Sequence, residues 1–347
     1  MIIENIENIS KSTKKSYSNA LLKIEKHFKE TITVNSPYDW VKRRVDVYMF
    51  IETQTESSKA LFYSAVIKLC RQLGLNEENK FYESQWKKYT KISREIEKTT
   101  LTERKKKHWK DYEELKKWWD ELYLNIHKKY KEMNWIDDLS FSNMTKKTKL
   151  ELETCLLFGF WLSNPEINAP RRIGDFSNML VMGCRAIRYR ESHKDDEHLL
   201  NNTKRKEWNW LVYEYANPLK KILELEFNVY KTSKKYGQIK SKVNPKLEFV
   251  INVWVQASLN TYFKETKPDI IPLFCQVSNP LKCWTPAYLS KRLIQLAKTF
   301  HKKNIGASML RNIVLSHIYK HIDLEKMKSY ALASGHDYKT MLENYKH

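Results

Sequence analysis

Only seven glycines and nine prolines interrupt the 347 residues of this chain. Few positions can therefore break a helix or force a turn, and long helices must dominate the fold. Single hydrophobic cores stop growing near ~250–300 residues, so the length points to two domains. Near the start, Tyr17, Leu21, Ile24 and Phe28 recur at helical spacing, with Thr13 as the expected N-cap. A second helix carries Leu61, Val66, Leu69, Cys70 and Leu73 and stops around Gly74. Residues 1–98 thus read as a compact all-helical domain. The polar and then basic stretch 99–107, with Arg104, Lys105, Lys106 and Lys107, reads as a linker, or equally as an exposed helix start.

The remainder, 99–347, opens with helices over 112–133 and 149–161, the second ending before Asn164-Pro165. A further helix is expected from Arg172, with Ile173, Phe176 and Leu180 on its buried side. The period then changes. Residues 208–215 and 223–231 read as strands, the second alternating Leu223, Leu225, Phe227 and Val229. A turn at Lys234-Lys235-Tyr236-Gly237 returns the chain as a third strand over 238–244. Three helices follow. One opens at Thr285-Pro286 and shows Leu289, Leu293, Ala297 and Phe300. The next carries Leu310, Ile313, Val314 and Ile318, and the last, after Gly335, carries Tyr338, Met341, Leu342 and Tyr345. The expected class is α+β, mostly helical with one small three-stranded sheet, and no internal repeat.

Lys plus Arg number 62 against 41 acidic residues, a net charge of +21. Such an excess favours a polyanionic partner, because each neutralised phosphate releases condensed counterions; a lysine-covered set of solvated helix faces would look the same. Cys70, Cys155, Cys184, Cys275 and Cys283 are odd in number and contain no C-x-x-C pair, which argues against a disulfide framework or a zinc knuckle. No apolar run is long enough to span a bilayer, and the first ten residues are acidic where a signal peptide would be basic. A soluble intracellular protein without a membrane partner is expected.

Five short motifs carry chemistry. Arg172-Ile173-Gly174-Asp175 opens a helix. Lys231-Thr232-Ser233-Lys234-Lys235 sits on the hairpin. Ser308-Met309-Leu310-Arg311 opens another helix. Gly335-His336 comes next, and Tyr345 follows nine residues after His336. Alone, each has an ordinary reading: a surface i, i+3 pair, a solvated hairpin tip, a snorkelling arginine, a helix cap, a packed aromatic. Cleavage of a phosphodiester without metal needs a nucleophile, cations on the non-bridging oxygens and an acid for the leaving oxygen. Taken in order, these residue types resemble the tyrosine recombinase family, whose boxes read Arg-x-x-acid, a hairpin lysine, His-x-x-Arg, Gly-His and a nucleophilic Tyr. The resemblance covers residues 99 to 347, and the N-terminal helices look like that family's core-binding domain.

The resemblance implies that Tyr345 attacks phosphorus, Arg172 and Arg311 bind the non-bridging oxygens, and Lys231 protonates the leaving oxygen. It further implies that His336 hydrogen-bonds the phosphate or tyrosine oxygen and that Asp175 orients Arg172. Arg104, Lys105, Lys106, Lys107, Lys234 and Lys235 would contact DNA. Double-stranded DNA is the implied substrate, held between the two domains, with a homodimer or tetramer as the working assembly and no cofactor or metal. One residue departs from the pattern. Ser308 stands where the family has His; it can donate a hydrogen bond but holds no charge, with His301 and His317 as candidate replacements, and its bland reading is the N-cap of the helix bearing Arg311. The chain stops two residues beyond Tyr345, so no exchanged helix is expected after the nucleophile. The rival readings are a type IB topoisomerase and a DNA-binding protein whose catalysis has decayed. His193, Asp195, Asp196 and His198 form a metal-like cluster in a charged loop and read as solvated. P-loop and H-E-x-x-H motifs are absent.

Overall fold

In a computed structural model, the described residues are 11–31, 38–99, 103–131, 139–163, 170–182, 206–213, 222–265, 268, 270–321, 327–328 and 330–331. The chain divides into two compact units, Met1–Thr100 and Leu101–His347.

The first unit is helical: α1 (Lys11–Thr31), α2 (Arg44–Glu52), α3 (Glu56–Gln72) and α4 (Asn76–Thr99). Leu21, Ile24 and Phe28 of α1 meet Val47 and Ile51 of α2, Val66 and Leu69 of α3, and Tyr82 of α4 in one core. Thr13 lies inside α1 and is not its cap. Gly74 ends α3 as expected. Its φ of 67° is a left-handed conformation that costs glycine little. The Leu75 N–H bonds the Cys70 carbonyl at 2.9 Å, the long bond of a Schellman motif. One buried polar group, Lys59, is paired with Glu52 at 2.8 Å, and Glu52 also accepts from Tyr63 at 2.9 Å.

The second unit opens with α5 (Glu103–His108), so the basic stretch is helical and its end belongs to this unit. The Lys107 carbonyl accepts from Lys303, and His108 accepts from the Asn304 main chain. Next come α6 (Tyr112–Tyr130) and α7 (Lys146–Leu162), capped by Asp111 and Thr145. Every residue of α7 from Leu152 to Leu162 is buried. Such all-round burial marks a central helix, around which neighbours must pack. Trp119 of α6 donates to the Cys155 carbonyl at 2.9 Å. At Gly159 a Cβ would lie 2.8 Å from the Leu247 Cδ1 and 3.2 Å from Trp119, so a larger residue would require these side chains to shift.

After α7 the structure departs from the sequence reading. The helix at Arg172 is one turn, α8 (Ile173–Ser177), and Leu180 lies in a strand, β1 (Met179–Met182). Ile173, Phe176 and Leu180 fit a helical spacing, but pairing on both sides of β1 overrides it. The sheet also holds β2 (Asn209–Tyr213), β3 (Ile222–Phe227), β4 (Ile239–Ser241) and, further on, β5 (Ile270–Pro272). Five strands in the order β4-β3-β2-β1-β5 thus replace the three expected, with β1 and β2 parallel and the other pairs antiparallel. Between β3 and β4 runs the one-turn α9 (Ser233–Tyr236), closed by Gly237 at φ 67°. Helix α10 (Pro245–Tyr262), capped by Asn244, was not foreseen and packs on α7. The two-stranded β6 (Cys275–Gln276) and β7 (Asn279–Cys283) precede α11 (Pro286–His301) and α12 (Ala307–His321). Thr285 caps α11 through the Tyr288 N–H at 3.2 Å. Arg292 of α11 forks onto buried Glu153 of α7 at 2.6 and 2.5 Å. The class is α+β, mostly helical with a small mixed sheet. No described helix is long and apolar enough to cross a membrane. The helix read after Gly335 lies outside the described residues.

His301 stands edge-on to Trp118, ring centroids 4.2 Å apart. Burial, with Lys110 adding to it, pushes its imidazole from 6.5 down to about 4. A depressed histidine contributes stability that is fully present above the unfolded value and lost as pH falls through the folded one. Between pH 6.5 and 4 the parent should therefore lose stability that His301→Phe retains. Urea melts across that range test this; parallel pH profiles for the two proteins would contradict it.

Candidate active site

Four of the candidate catalytic residues singled out in the sequence line one cavity of about 660 Å³: Arg172, Lys231, Ser308 and Arg311. Asp175, Val229, Tyr230 and Asn312 contribute to the same walls. Three segments deliver them. Arg172 is the N-cap of α8, in extended backbone at φ −76° and ψ 151°. Lys231 is exposed at the start of the β3–β4 hairpin loop. Ser308 and Arg311 occupy the first turn and a half of α12. Val229, expected inside a strand, lies beyond the end of β3 and is 41% exposed at the cavity.

The α12 start decides how Ser308 is used. The Leu310 N–H bonds the Gly306 carbonyl at 2.9 Å, which makes Gly306 the cap residue. Ser308 is thus one residue inside the helix and exposed, and the reading of it as N-cap falls. Neither candidate replacement for the missing histidine reaches the cavity wall. His301 packs on Trp118, and His317 stacks on Tyr112 at 4.0 Å with Glu113 at 3.6 Å from its Nδ1.

Asp175 reaches Arg172 through the main chain. Its carboxylate takes the Arg171 Nε at 3.1 Å and the Arg172 main-chain N–H at 3.3 Å, both on Oδ2. It thus holds Arg172 by the backbone, and the ion pair goes to Arg171. The Arg172 guanidinium forms no hydrogen bond or ion pair among the described residues. Burial pushes the Asp175 carboxyl up, against the pull of Arg171, the Arg172 N–H and Arg311. Burial likewise lowers Arg171, with Asp175 opposing. An arginine remains charged even so.

Sequence reasoning missed Arg171, Asn209 and Asn312. The buried Asn209 at the start of β2 donates to the carbonyls of Asp175 at 2.8 Å and Val229 at 3.0 Å. It accepts from the main chains of Asn228 and Val229, each at 2.8 Å. An isolated asparagine in an otherwise apolar strand was the available signal. Asn312 sits beside Arg311 and faces the cavity one turn from Ser308.

Of the cations expected to contact DNA, Arg104, Lys105, Lys106 and Lys107 lie in α5, with Lys106 and Lys107 exposed. Lys234 and Lys235 are exposed on α9. Lys106 is paired with Glu103 at 2.9 Å. His336, Tyr345 and the cluster of His193, Asp195, Asp196 and His198 lie outside the described residues. Among the described residues no group of His, Cys, Asp and Glu could hold a metal ion.

No protein-family model and no curated protein sequence matches the chain. Among solved structures it is similar to the crystal structure of XerA recombinase, with 11% identity and a TM-score of 0.32 over 100% of this chain and 91% of that one.

Two guanidinium groups and an ammonium around one cavity should bind a tetrahedral oxyanion. Inorganic phosphate at a hundred times its Kd should stabilise the fold by about 2.7 kcal/mol, beyond any effect of chloride at matched ionic strength. Arg172→Ala and Arg311→Ala should each remove most of that gain. Equal phosphate-induced shifts in melting temperature for parent and both variants would place the anion elsewhere.

Proposed function

We propose that the chain is a site-specific DNA recombinase of the tyrosine type, cutting and rejoining duplex DNA through a covalent 3′-phosphotyrosine at Tyr345. The observation that carries this reading is the single cavity lined by Arg172, Lys231, Ser308 and Arg311, residues drawn from three segments far apart in sequence. Their order along the chain, followed by Gly335-His336 and Tyr345, supports it further.

The chemistry follows from the residue types. The Tyr345 oxygen attacks phosphorus in line as its phenolic proton passes to solvent water. The bond to the 5′ oxygen breaks, and that oxygen takes a proton from the Lys231 ammonium. Arg172 and Arg311 stabilise the charge on the non-bridging oxygens, each with a planar fork suited to phosphate. Ser308 donates one hydrogen bond to the same phosphate, and His336 bonds the phosphate or the tyrosine oxygen. The phosphotyrosine keeps the energy of the broken linkage, so a 5′ hydroxyl reverses the step without a nucleotide or metal. Lys106, Lys107, Lys234 and Lys235 are exposed and suited to flanking phosphates. A dimer or tetramer on DNA completes strand exchange.

Trapping on a nicked suicide duplex tests the proposal. The parent should form an adduct whose peptide maps to Tyr345, and Tyr345→Phe should bind DNA equally and form none. Arg172→Ala and Arg311→Ala should slow cleavage on the order of a hundredfold, as for loss of a preorganised oxyanion donor. A persistent adduct in the Phe variant rejects Tyr345. Relaxation of supercoils by a monomer, without pairing of sites, makes the chain a topoisomerase instead.

Ser308 offers an independent check. Ser308→Ala should cleave about tenfold more slowly, the loss of one charge-assisted hydrogen bond at about 1.5 kcal/mol. Ser308→His should be tolerated, whereas Ser308→Asp should keep its melting temperature and stop cleaving, because a carboxylate would face the scissile phosphate. A stable and fully active Asp variant removes Ser308 from the site.

A further inference from the structure

We infer that Arg171 and Asn209 are positioning residues that hold the Arg172 and Lys231 segments in register with one another, an inference that rests on the recombinase reading of the cavity. Neither residue lines the cavity, so neither meets the substrate. Both are buried: the Arg171 side chain is 3% exposed, and Asn209 is 0% exposed.

The two cations they serve stand on separate pieces of chain. Arg172 caps α8, whereas Lys231 opens a hairpin loop, and no ladder bond joins the two segments. Arg171 bridges them first. Its guanidinium stacks on Phe227 and Tyr230, with its carbon 4.4 and 4.3 Å from the ring centroids. Tyr230 immediately precedes Lys231, and its hydroxyl donates to the Gly237 carbonyl at 2.7 Å, which fixes the loop across its neck. On the other side Arg171 holds the same Asp175 oxygen that accepts the Arg172 N–H. The Arg171 carbonyl in turn accepts from Trp161 at 3.1 Å, which ties the bridge to the central helix.

Asn209 bridges them again. Its amide donates to the α8 carbonyl of Asp175 and to that of Val229, and accepts the N–H groups of Asn228 and Val229. These four bonds match the two N–H donors of a carboxamide and the two lone pairs of its oxygen. No other uncharged side chain of that size can supply both sets. Leucine would fill the volume but strand two main-chain N–H groups and two carbonyls away from water.

A lysine that must protonate a leaving oxygen has to lie within hydrogen-bond reach of it, and a displacement near 1 Å can cost about a hundredfold in rate. Loss of either bridge should therefore appear in the chemical step and not in DNA affinity.

The test uses the full chain with Arg171→Met, Arg171→Lys, Asn209→Ala and Asn209→Leu. Single-turnover cleavage is measured on saturating suicide duplex, on normal DNA and on DNA with sulfur in place of the scissile 5′ oxygen. A thiolate leaves without protonation, so the sulfur duplex bypasses the lysine. On normal DNA, Arg171→Met and Asn209→Leu should cleave on the order of a hundredfold more slowly with Kd unchanged within about twofold. Arg171→Lys keeps the charge but not the planar stack, and should recover only part of the rate. On sulfur-bridged DNA the Asn209 defects should shrink at least tenfold. If Met or Leu prevents folding, the Lys and Ala variants carry the test. Parent-like rates in folded variants overturn the inference, and so does a defect that sulfur leaves unchanged and that follows the unfolded fraction. A parent inert on both duplexes instead rejects the recombinase reading. The bridges are then judged by phosphate-induced stabilisation, which the variants should lose if the inference holds and retain if it does not.

Discussion

The buried ion pair of Arg171 with Asp175 is the interaction on which the candidate site depends. A charge pair taken out of water is held only when geometry and further partners compensate its desolvation. Here two aromatic rings cover the guanidinium, while the Arg172 N–H bonds the carboxylate and the charge of Arg311 favours its ionised form. Removing one partner would leave the other buried and uncompensated, at a cost of ~3–5 kcal/mol. The pair therefore sets the path of the chain through α8 and fixes where the neighbouring arginine emerges.

That pair is itself anchored to a rigid interior. Helix α7, buried on all sides, touches α6 through Trp119 and Cys155, α10 through the close approach at Gly159, and α11 through Glu153 and Arg292. Its Trp161 reaches the Arg171 carbonyl. The segment after α11 then carries Ile305 into the core just before Ser308 and Arg311. Two of the three cavity walls are thus referred to one helix, and the third, the hairpin, is referred to it through Arg171. Precise sites on rigid elements are favoured for this reason.

The sequence made legible what periodicity and punctuation record. The amphipathic faces of α1, α3 and α6, the stop at Gly74, the Thr285-Pro286 start and the β3–β4 hairpin all lie close to where spacing places them. Strand β1 was hidden because four apolar residues after a single helical turn extend a helical spacing, and only pairing with β2 and β5 reveals them as a strand. Short β5 carries too little pattern to announce itself. In the site, Arg172, Lys231, Ser308 and Arg311 were visible because they form a pattern of residue types in order. Arg171 and Asn209 were not, since their importance lies in partners that only folding brings near. Asp175 was noticed as a residue oriented towards Arg172; its bond to Arg172 runs through the main-chain N–H, while its ion pair goes to Arg171.

The separation between solvent-facing tips and the buried lattice beneath them has a consequence for how such a protein changes over generations. Lys231 and Ser308 are exposed, and the Arg172 side chain makes no hydrogen bond or ion pair among the described residues, so these side chains add little to the described packing. Replacing one leaves a basic chain whose net charge of +21 changes by about one unit. Whatever ligand these side chains hold can therefore be lost in a short mutational step that selection for stability does not oppose. The solvent-facing tips can thus diverge while the interior beneath them stays the same.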